Sequence, residues 1–430
     1  MTSPLKIAIA GLGTVGAGTL KLLQTNAAGI AARCGRELKV VAVSARDKNK
    51  DRGVKATGAA WFSDPVEMVK VVDADVVVEV IGGDSGPAKQ VVEAAIAGKR
   101  HVVTANKALL AHHGTALAMA AEKAGVSLAM EAAVAGGIPI IKTLREGLAA
   151  NTISRVYGIL NGTCNYILTE MRSTKRDFAD VLREAQQLGY AEADPAFDID
   201  GTDAAHKLAI LSSVAFGTAV DFEAVHVEGI RKISALDIEY AETLGYRIKL
   251  VGLAVRRDGG IAASVYPVMM APTAALASVD GVFNAVVAEG DFVGKSVSIG
   301  RGAGAGPTAS AVVADLIDIA AGRKIPTFGI PAGQLTKAKR VPVAKRFGAS
   351  YVRLLVVDRP GVFADIAAAF RDEEVSMESV LQRGRNANAN VNVVIVTHDV
   401  DEAALMRALN RLHSNAAVVE PPHMIRIENF

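Results

Sequence analysis

Between Glu192 and Lys207 the chain reads Glu-Ala-Asp-Pro-Ala-Phe-Asp-Ile-Asp-Gly-Thr-Asp-Ala-Ala-His-Lys. This places the carboxylates Glu192, Asp194, Asp198, Asp200 and Asp203 ahead of one lysine and the apolar run Leu208–Val220. Pro195 and Gly201 mark the first part as loop. Thr202 or Asp203 can cap a helix that carries Lys207 inward. Asp203 and Lys207 are four apart, on one helical face and within reach of each other. The helix dipole favours a charged Asp203 at the helix start. A lysine beside acids, heading an apolar helix, is suited to donate a proton or polarise a carbonyl. The same residues also read as a solvated acidic loop with an ordinary i,i+4 pair.

Other segments supply complementary chemistry. Gly11-Leu-Gly-Thr-Val-Gly16 follows an apolar strand and opens a helical pattern. Gly11 allows the tight turn, Gly13 lets a pyrophosphate approach the backbone, and Gly16 lets helix and strand pack closely. Thr14 and Val15 then head a helix whose free N–H groups suit phosphate. The second strand ends Ser44-Ala-Arg46-Asp47. Arg46 is placed to meet a 2′-phosphate, which favours NADP(H); NAD(H) is the alternative, with Asp47 on the ribose.

Thr104-Ala-Asn-Lys107 follows another strand, at the carboxyl edge where ligands bind in such sheets, so Lys107 can face nicotinamide and substrate. Glu131-Ala-Ala-Val-Ala-Gly-Gly-Ile-Pro139 offers carbonyls beside a carboxylate, a setting for a hard monovalent cation or a hinge between domains. Asn161-Gly-Thr-Cys-Asn-Tyr166 reads as a polar turn closing a strand, with Asn161, Thr163 and Asn165 able to orient a small polar substrate. Cys164 has no evident histidine partner and makes a poor nucleophile. His206 neighbours Lys207 but points elsewhere on the helix, and His112-His113 reads as a solvated helix face.

The elements that must hold these residues form three units. Strands Ile7–Ala10, Val40–Val43, Val76–Ile81, His101–Thr104 and Ser127–Met130 alternate with helices Val15–Gln24, Pro87–Ala97 and Ala108–Ala124. That alternation predicts a parallel, doubly wound sheet over 1–131. Beyond it, strands Ser154–Leu160, Ile248–Arg256 and Ile261–Val268 and helices Phe178–Leu188 and Asp203–Phe216 suit an α+β domain on a mixed sheet, spanning 132–321. A Gly-rich turn from Gly300 to Pro307 leads into the helix Thr308–Ala321, a return segment (about 300–325) toward the first domain. Residues 322–349, rich in Lys, Arg, Pro and Gly, read as a linker. Tyr351–Val357, Gly361–Phe370, Val375–Arg383, Val391–Thr397, Asp401–Leu412 and Met424–Ile427 follow the βαββαβ order of a ferredoxin-like unit, 350–430.

The 430 residues carry a net charge of +2, half are apolar, and there are two cysteines, Cys34 and Cys164. No basic run interleaved with aromatics points to nucleic acid. The longest uncharged run, Ile261–Val279, contains Pro267 and Pro272 and is a poor membrane span. With no signal peptide evident and no disulfide or zinc spacing, the expectation is a cytoplasmic protein.

The motifs GLGTVG, VVVEVIGG (77–83 in its last seven residues), TANK (104–107), EAAVAGGIP (131–139), NGTCNYIL (161–168) and the 192–207 stretch resemble homoserine dehydrogenase in order and spacing, over roughly residues 5–325. The C-terminal unit, with Asp358-Arg-Pro-Gly-Val362 between strand and helix, is similar to an ACT regulatory domain. With no kinase domain evident upstream, the expectation is a likeness to the monofunctional enzymes. It implies reversible NAD(P)-dependent interconversion of L-aspartate 4-semialdehyde and L-homoserine, on the route to threonine, methionine and isoleucine. It further implies that Lys207 is the main acid–base residue, Lys107 a second lysine near the reacting oxygen, and Asp203 the residue that orients Lys207 and the substrate. Glu192 would receive the substrate ammonium with Asp198 nearby. Glu131 with the carbonyls of Val134, Gly136 and Ile138 would hold Na+ or K+, and Gly302 would sit against the cofactor. Threonine is the effector expected at the ACT-like unit, and a homodimer or homotetramer the expected assembly. Two rival readings are aspartate-semialdehyde dehydrogenase, for which Cys164 would have to be the nucleophile, and a non-catalytic NADP-binding sensor.

Overall fold

A computed structural model describes residues 3–257, 259–382 and 390–430. Its first sheet holds β1 (Leu5–Ala10), β2 (Leu38–Ser44), β3 (Ala60–Phe62), β4 (Val76–Glu79), β5 (His101–Thr104) and β6 (Leu128–Ala129), all parallel, in the order β3-β2-β1-β4-β5-β6. Helices α1 (Thr14–Thr25), α2 (Ala27–Cys34), α3 (Pro65–Val71), α4 (Gly86–Ala97) and α5 (Lys107–Ala124) cross over between strands. Side chains alternate across β1. Ala8 and Ala10 pack with Val77, Val91 and Leu109 on one face, while Ile7 and Ile9 pack with Leu20, Val312 and Leu316 on the other. Sequence reading missed β3, α2 and α3, which are short and lack a clear period.

The chain then runs through a short helix, α6 (Ile140–Lys142), and a single π turn into β7 (Ile153–Ile159). Next come α7 (Gly162–Thr174), α8 (Phe178–Gln187), α9 (Ala196–Ile199), α10 (Thr202–Phe216) and α11 (Ala235–Thr243), with β8 (Val225–Val227) between the last two. The long strands β9 (Arg247–Arg257), β10 (Gly260–Met270), β11 (Phe283–Gly290) and β12 (Gly294–Arg301) follow. The β11–β12 hairpin escaped sequence reading because its outer strand faces solvent at alternate positions and carries Gly, Lys and Ser. Helix α12 (Ala305–Ala320) leaves this sheet and packs on α1: a Cβ at Gly18 would lie 2.7 Å from the Ala305 carbonyl oxygen.

Residues 322–349 are not a free tether. Val341 donates to the Ile261 carbonyl at 2.9 Å, Arg340 pairs with Asp221, and the segment ends in β13 (Phe347–Gly348). The last unit is β14 (Ser350–Val357), α13 (Val362–Asp372), β15 (Met377–Gln382), β16 (Asn390–Thr397), β17 (Val400–Asp401), α14 (Glu402–His413) and β18 (His423–Ile427), with β17 pairing β13. Its four main strands lie in the ferredoxin-like order β18-β14-β16-β15. Arg383, expected at the end of a strand, lies outside the described residues. Strand β18 also pairs in parallel with β10, so the second and third units share a ten-stranded mixed sheet, β12-β11-β7-β9-β10-β18-β14-β16-β15 with β8 attached to β10. No helix among the described residues is long and apolar enough to cross a membrane.

Candidate active site

The glycine-rich turn joins β1 to α1. Gly11 has φ +102°, and a Cβ there would lie 2.7 Å from the Val80 carbonyl oxygen. A Cβ at Gly16 would collide with the Gly11 carbonyl, whereas one at Gly13 would meet nothing within 4 Å. Gly13 therefore faces open space, where a ligand can approach the backbone. It is also the N-cap of α1 and contributes no side-chain cap, so the first N–H groups of the helix, from Thr14 onward, stay available to an anion.

A cleft of about 1020 Å³ opens beside this turn, lined among others by Gly11, Gly13, Arg46, Lys50, Arg52 and Asp64. Arg46 lines it exposed and has no hydrogen bond or ion pair among the described residues. The Asp47 carboxylate accepts the Asn49 N–H at 2.8 Å, so it is engaged in its own turn. Arg52 donates to the Leu12 carbonyl at 2.8 Å and stacks over Trp61, tying the glycine turn to the far wall of the cleft; sequence reading gave it no part.

Thr104 ends β5 fully buried. Its hydroxyl donates to Glu79 at 2.6 Å and accepts the Asn106 N–H at 3.0 Å. It therefore braces the sheet edge instead of facing the cleft. Glu79, at the end of β4, also accepts the N–H groups of Ile81 and Gly82. Burial raises its carboxyl pKa, an effect that these hydrogen bonds oppose. Asn106 caps α5 by accepting the Leu109 N–H and ties it to the Gly83 carbonyl, which fixes where Lys107 begins the helix. Asparagine just before a helical run is a cap signal that sequence alone carries.

The acidic stretch folds as expected in part. Its helix, α10, starts at Thr202, but the N-cap is Gly201 in the left-handed region (φ +89°) with no side-chain cap. Neither Thr202 nor Asp203 caps it. Asp203 is freed to point inward, where it gathers both lysines: Lys207 Nζ lies 2.8 Å from Oδ2 and Lys107 Nζ 3.1 Å from Oδ1. Burial alone would raise the Asp203 carboxyl, but the two ammonium charges, with hydrogen bonds from Lys207 and Asn161, hold it well below the usual carboxylate range. Lys207 also donates to the Leu160 carbonyl at 2.8 Å. An ammonium has three donors, so one remains for a substrate oxygen.

The expected polar turn after β7 is instead the first turn of α7, which Asn161 caps by accepting the Cys164 N–H at 2.8 Å. The alternation that ends β7 gave no hint of it, because Gly162 and Thr163 look like turn residues. The Asn161 side-chain amide donates to Asp203 at 2.7 Å and to Asp198 at 2.9 Å, while the Thr163 hydroxyl shares its one proton between the Tyr190 carbonyl at 2.8 Å and Asp198 at 3.0 Å. Lys107, Asn161, Thr163, Asp198, Asp203 and Lys207 thus form one connected cluster. The Lys107 ammonium also lies 5.7 Å from the centre of the Phe197 ring, a contact that sequence reading overlooked. His206 packs against His112, Phe197 and Phe222, and burial depresses its pKa to about 4. The neighbouring His112 is thus part of an aromatic wall as well as a helix surface.

Glu192 lies elsewhere: it is exposed on the loop after α8, and its carboxylate makes no hydrogen bond or ion pair among the described residues. Gly302 does not line the cleft; it passes so close to Asn284 that any Cβ would clash, and its carbonyl packs on Gly136. The buried Glu131 carboxylate accepts the N–H groups of Ile141 and Lys142 at 3.0 and 2.8 Å, and burial beside Asp315 raises its pKa to about 7. Its side chain is committed to backbone. The loop after it turns through positive φ at Ala135 and Gly136, and the Ile138 carbonyl accepts the Ile140 N–H. The carbonyls of Val134 and Gly136, both at buried positions, accept no hydrogen bond among the described residues, which fits a hard cation. Among the described residues no group of three or more His, Cys, Asp or Glu side chains is gathered to hold a metal. Cys164 is buried, which pushes its thiol up, and it donates to the Asp198 carbonyl at 3.2 Å. That geometry removes the nucleophile an aspartate-semialdehyde dehydrogenase would need.

Family models agree with this architecture. Residues 11–131 match the NAD binding domain of homoserine dehydrogenase, 139–317 match homoserine dehydrogenase, and 350–416 match the ACT domain. The homoserine dehydrogenase of Neisseria gonorrhoeae is 46% identical, with 99% of each chain covered. The chain belongs to the homoserine dehydrogenase family. A crystal structure of a homoserine dehydrogenase from Thiobacillus denitrificans superimposes with a TM-score of 0.93 at 44% identity, covering 99% of this chain and 98% of that one. A hyperthermophilic archaeal homoserine dehydrogenase in complex with NADPH matches at 31% identity and TM-score 0.64, covering 76% of this chain and 99% of its own. The resemblance drawn from the motifs therefore holds, as does the expected fold class. The three-unit chain is an oxidoreductase with a nicotinamide-dinucleotide domain, a homoserine dehydrogenase catalytic domain and an ACT domain.

Proposed function

We propose that the chain interconverts L-aspartate 4-semialdehyde and L-homoserine with NADP(H) as the preferred cofactor, through the Lys107–Asp203–Lys207 cluster. The observation that carries this reading is one buried carboxylate held by two lysines, with one Lys207 donor unspent. The cofactor, once bound, supplies or accepts the hydride. The protein's part is the oxygen: as the aldehyde is reduced, negative charge grows on its oxygen, and Lys207 donates to it while Lys107 stands beside. One well-placed donor of this kind is worth ~3–4 kcal/mol in the transition state. In the reverse direction Lys207, as the neutral amine left once it has given up that proton, takes the hydroxyl proton. Asp203 keeps both ammonium groups aimed, and Asn161 and Thr163 fix Asp198 toward the substrate. Glu192, uncommitted on its loop, is proposed to receive the substrate ammonium.

The NADP preference is supported by Arg46, which lines the cleft without a protein partner, and by the occupied state of the Asp47 carboxylate. The NADPH bound by the archaeal relative agrees with it. The bare carbonyls of Val134 and Gly136 support Na+ or K+ in the loop after Glu131. The ACT domain supports an amino-acid effector, proposed to be threonine, at the uncapped start of α13, where Gly361 (φ +97°) precedes the helix. A homodimer or homotetramer and a cytoplasmic setting complete the proposal.

The test is absorbance at the reduced-nicotinamide band with homoserine and either NADP or NAD. Homoserine-dependent reduction, faster with NADP and lost in Lys207→Ala, is expected. Absence of turnover in a protein that still binds NADP would leave the sensor reading. Threonine titrated into the same assay, with calorimetry for binding, addresses the ACT domain: flat curves in both would leave it a structural role only.

A further inference from the structure

A group of buried charges outside the active site lies where the ACT domain meets the catalytic domain. Arg426, in β18 and only 3% exposed, reaches both ways. It donates to Glu402 at the start of α14 (2.9 and 2.6 Å) and to Glu228 just after β8 (2.9 Å to each oxygen), with its guanidinium 4.4 Å from the centre of the Tyr266 ring. His226 adds a further contact to Glu228 at 2.6 Å. A planar guanidinium can hold two carboxylates in fixed geometry, which an ammonium cannot.

Glu228 leads directly to the acidic loop. A Cβ at Gly229 would collide with the Ile199 carbonyl and lie 2.5 Å from the Asp200 Cα, so backbone presses on backbone there. Ile230 donates its N–H to the Ile199 carbonyl at 2.8 Å, and Arg231 pairs with Asp200. On the other side, a Cβ at Gly201 would lie 3.1 Å from Val227 and 3.4 Å from the Glu228 carbonyl oxygen. Residues 227–231 are therefore the floor under 199–201, the segment between Asp198 and Asp203.

We propose that Glu228 and Arg426 are positioning residues for the dehydrogenase reaction: the ion cluster Glu402–Arg426–Glu228 fastens this floor to the ACT domain and thereby sets Asp198 and Asp203. This rests on the reading of Asp203 and Lys207 given above. The C-terminal domain then supports turnover directly, with or without an effector, and any rearrangement of β18 is felt first at the substrate loop.

The test uses the full chain with Glu228→Gln, which removes the charge at constant shape, and Arg426→Lys, which keeps the charge and loses the fork. Homoserine kinetics, NADPH affinity, thermal melting and hydrogen exchange over 196–203 are measured together. Misplacement by a fraction of an ångström is expected to lower kcat/KM for homoserine about tenfold in both variants, with NADPH affinity within about twofold of wild type and faster exchange in 196–203. Wild-type kinetics in both variants overturns the proposal. So does a joint loss of turnover, NADPH binding and folded signal, because it makes the cluster merely structural. A Lys207→Ala variant separates the two ideas: undiminished turnover there sinks the catalytic reading itself, whereas lost turnover there with normal Glu228→Gln and Arg426→Lys sinks this one alone.

Discussion

The dinucleotide cleft and the two-lysine centre solve opposite problems. The cleft is open and presents a glycine turn, uncapped N–H groups at the head of α1, and an arginine with no partner among the described residues. The lysine centre is built of side chains, and its buried charged groups are paired before any substrate arrives. A dinucleotide brings its own charge, so unspent donors within reach suffice. The substrate oxygen gains charge only during the reaction, so the cations that meet it must already be oriented, or reorganisation consumes the benefit.

The sharpest way to break this contrast is Lys207→Ala. A fall in kcat of at least ~100-fold with NADPH binding intact is expected; stopped-flow turnover beside fluorescence titration reads both, and near-normal turnover would refute the role. Asp203→Asn comes next, leaving two ammonium groups without their shared anion. A loss of about 3 kcal/mol in stability is expected from an unpaired buried charge. Because the folded state holds this carboxyl below its ordinary value of 3.8, wild type draws stability from it at neutral pH and sheds it as pH falls through and below that value. Asp203→Asn should lack that acid-side component, and chemical denaturation at pH 3 and pH 7 would reveal a variant that keeps it. Arg46→Ala tests the open side: the preference for NADPH over NADH should shrink by about tenfold, the worth of a charge-assisted phosphate contact, with homoserine KM unmoved. An undiminished preference would reassign the 2′-phosphate to Lys50 or another wall of the cleft. The smallest effect is expected from Glu192→Gln, about a threefold rise in homoserine KM, since an exposed carboxylate gives little in water. An unchanged KM removes Glu192 from the substrate.

The same contrast explains what the sequence disclosed. Each glycine of the Gly11–Gly16 turn answers a local demand, so the spacing alone locates the cleft. The i,i+4 pair of Asp203 and Lys207 was equally legible, being a property of one helix. That Lys107 and Asn161 would converge on Asp203 was not, because three separate elements have to dock before those side chains meet. Thr104 and Gly302 show the reverse limit. Both lie in motifs near a ligand, yet one braces Glu79 and the other makes room for Asn284. The β10–β18 pairing left no trace in either strand, since two short parallel registers add nothing to apolar periodicity.

Helix α12 bears on how the protein is made. Val312, Val313 and Leu316 complete an apolar layer beneath Ile7 and Ile9. At 5–20 residues per second, the ribosome delivers this helix roughly 15–60 s after the first strand. Until then the nascent sheet carries a bare greasy flank, the sort of surface that chaperones cover. Chains released at residue 300 should remain sensitive to protease within the first sheet, and chains released at residue 350 should resist. Equal resistance would mean that the nucleotide half matures without its late-arriving helix.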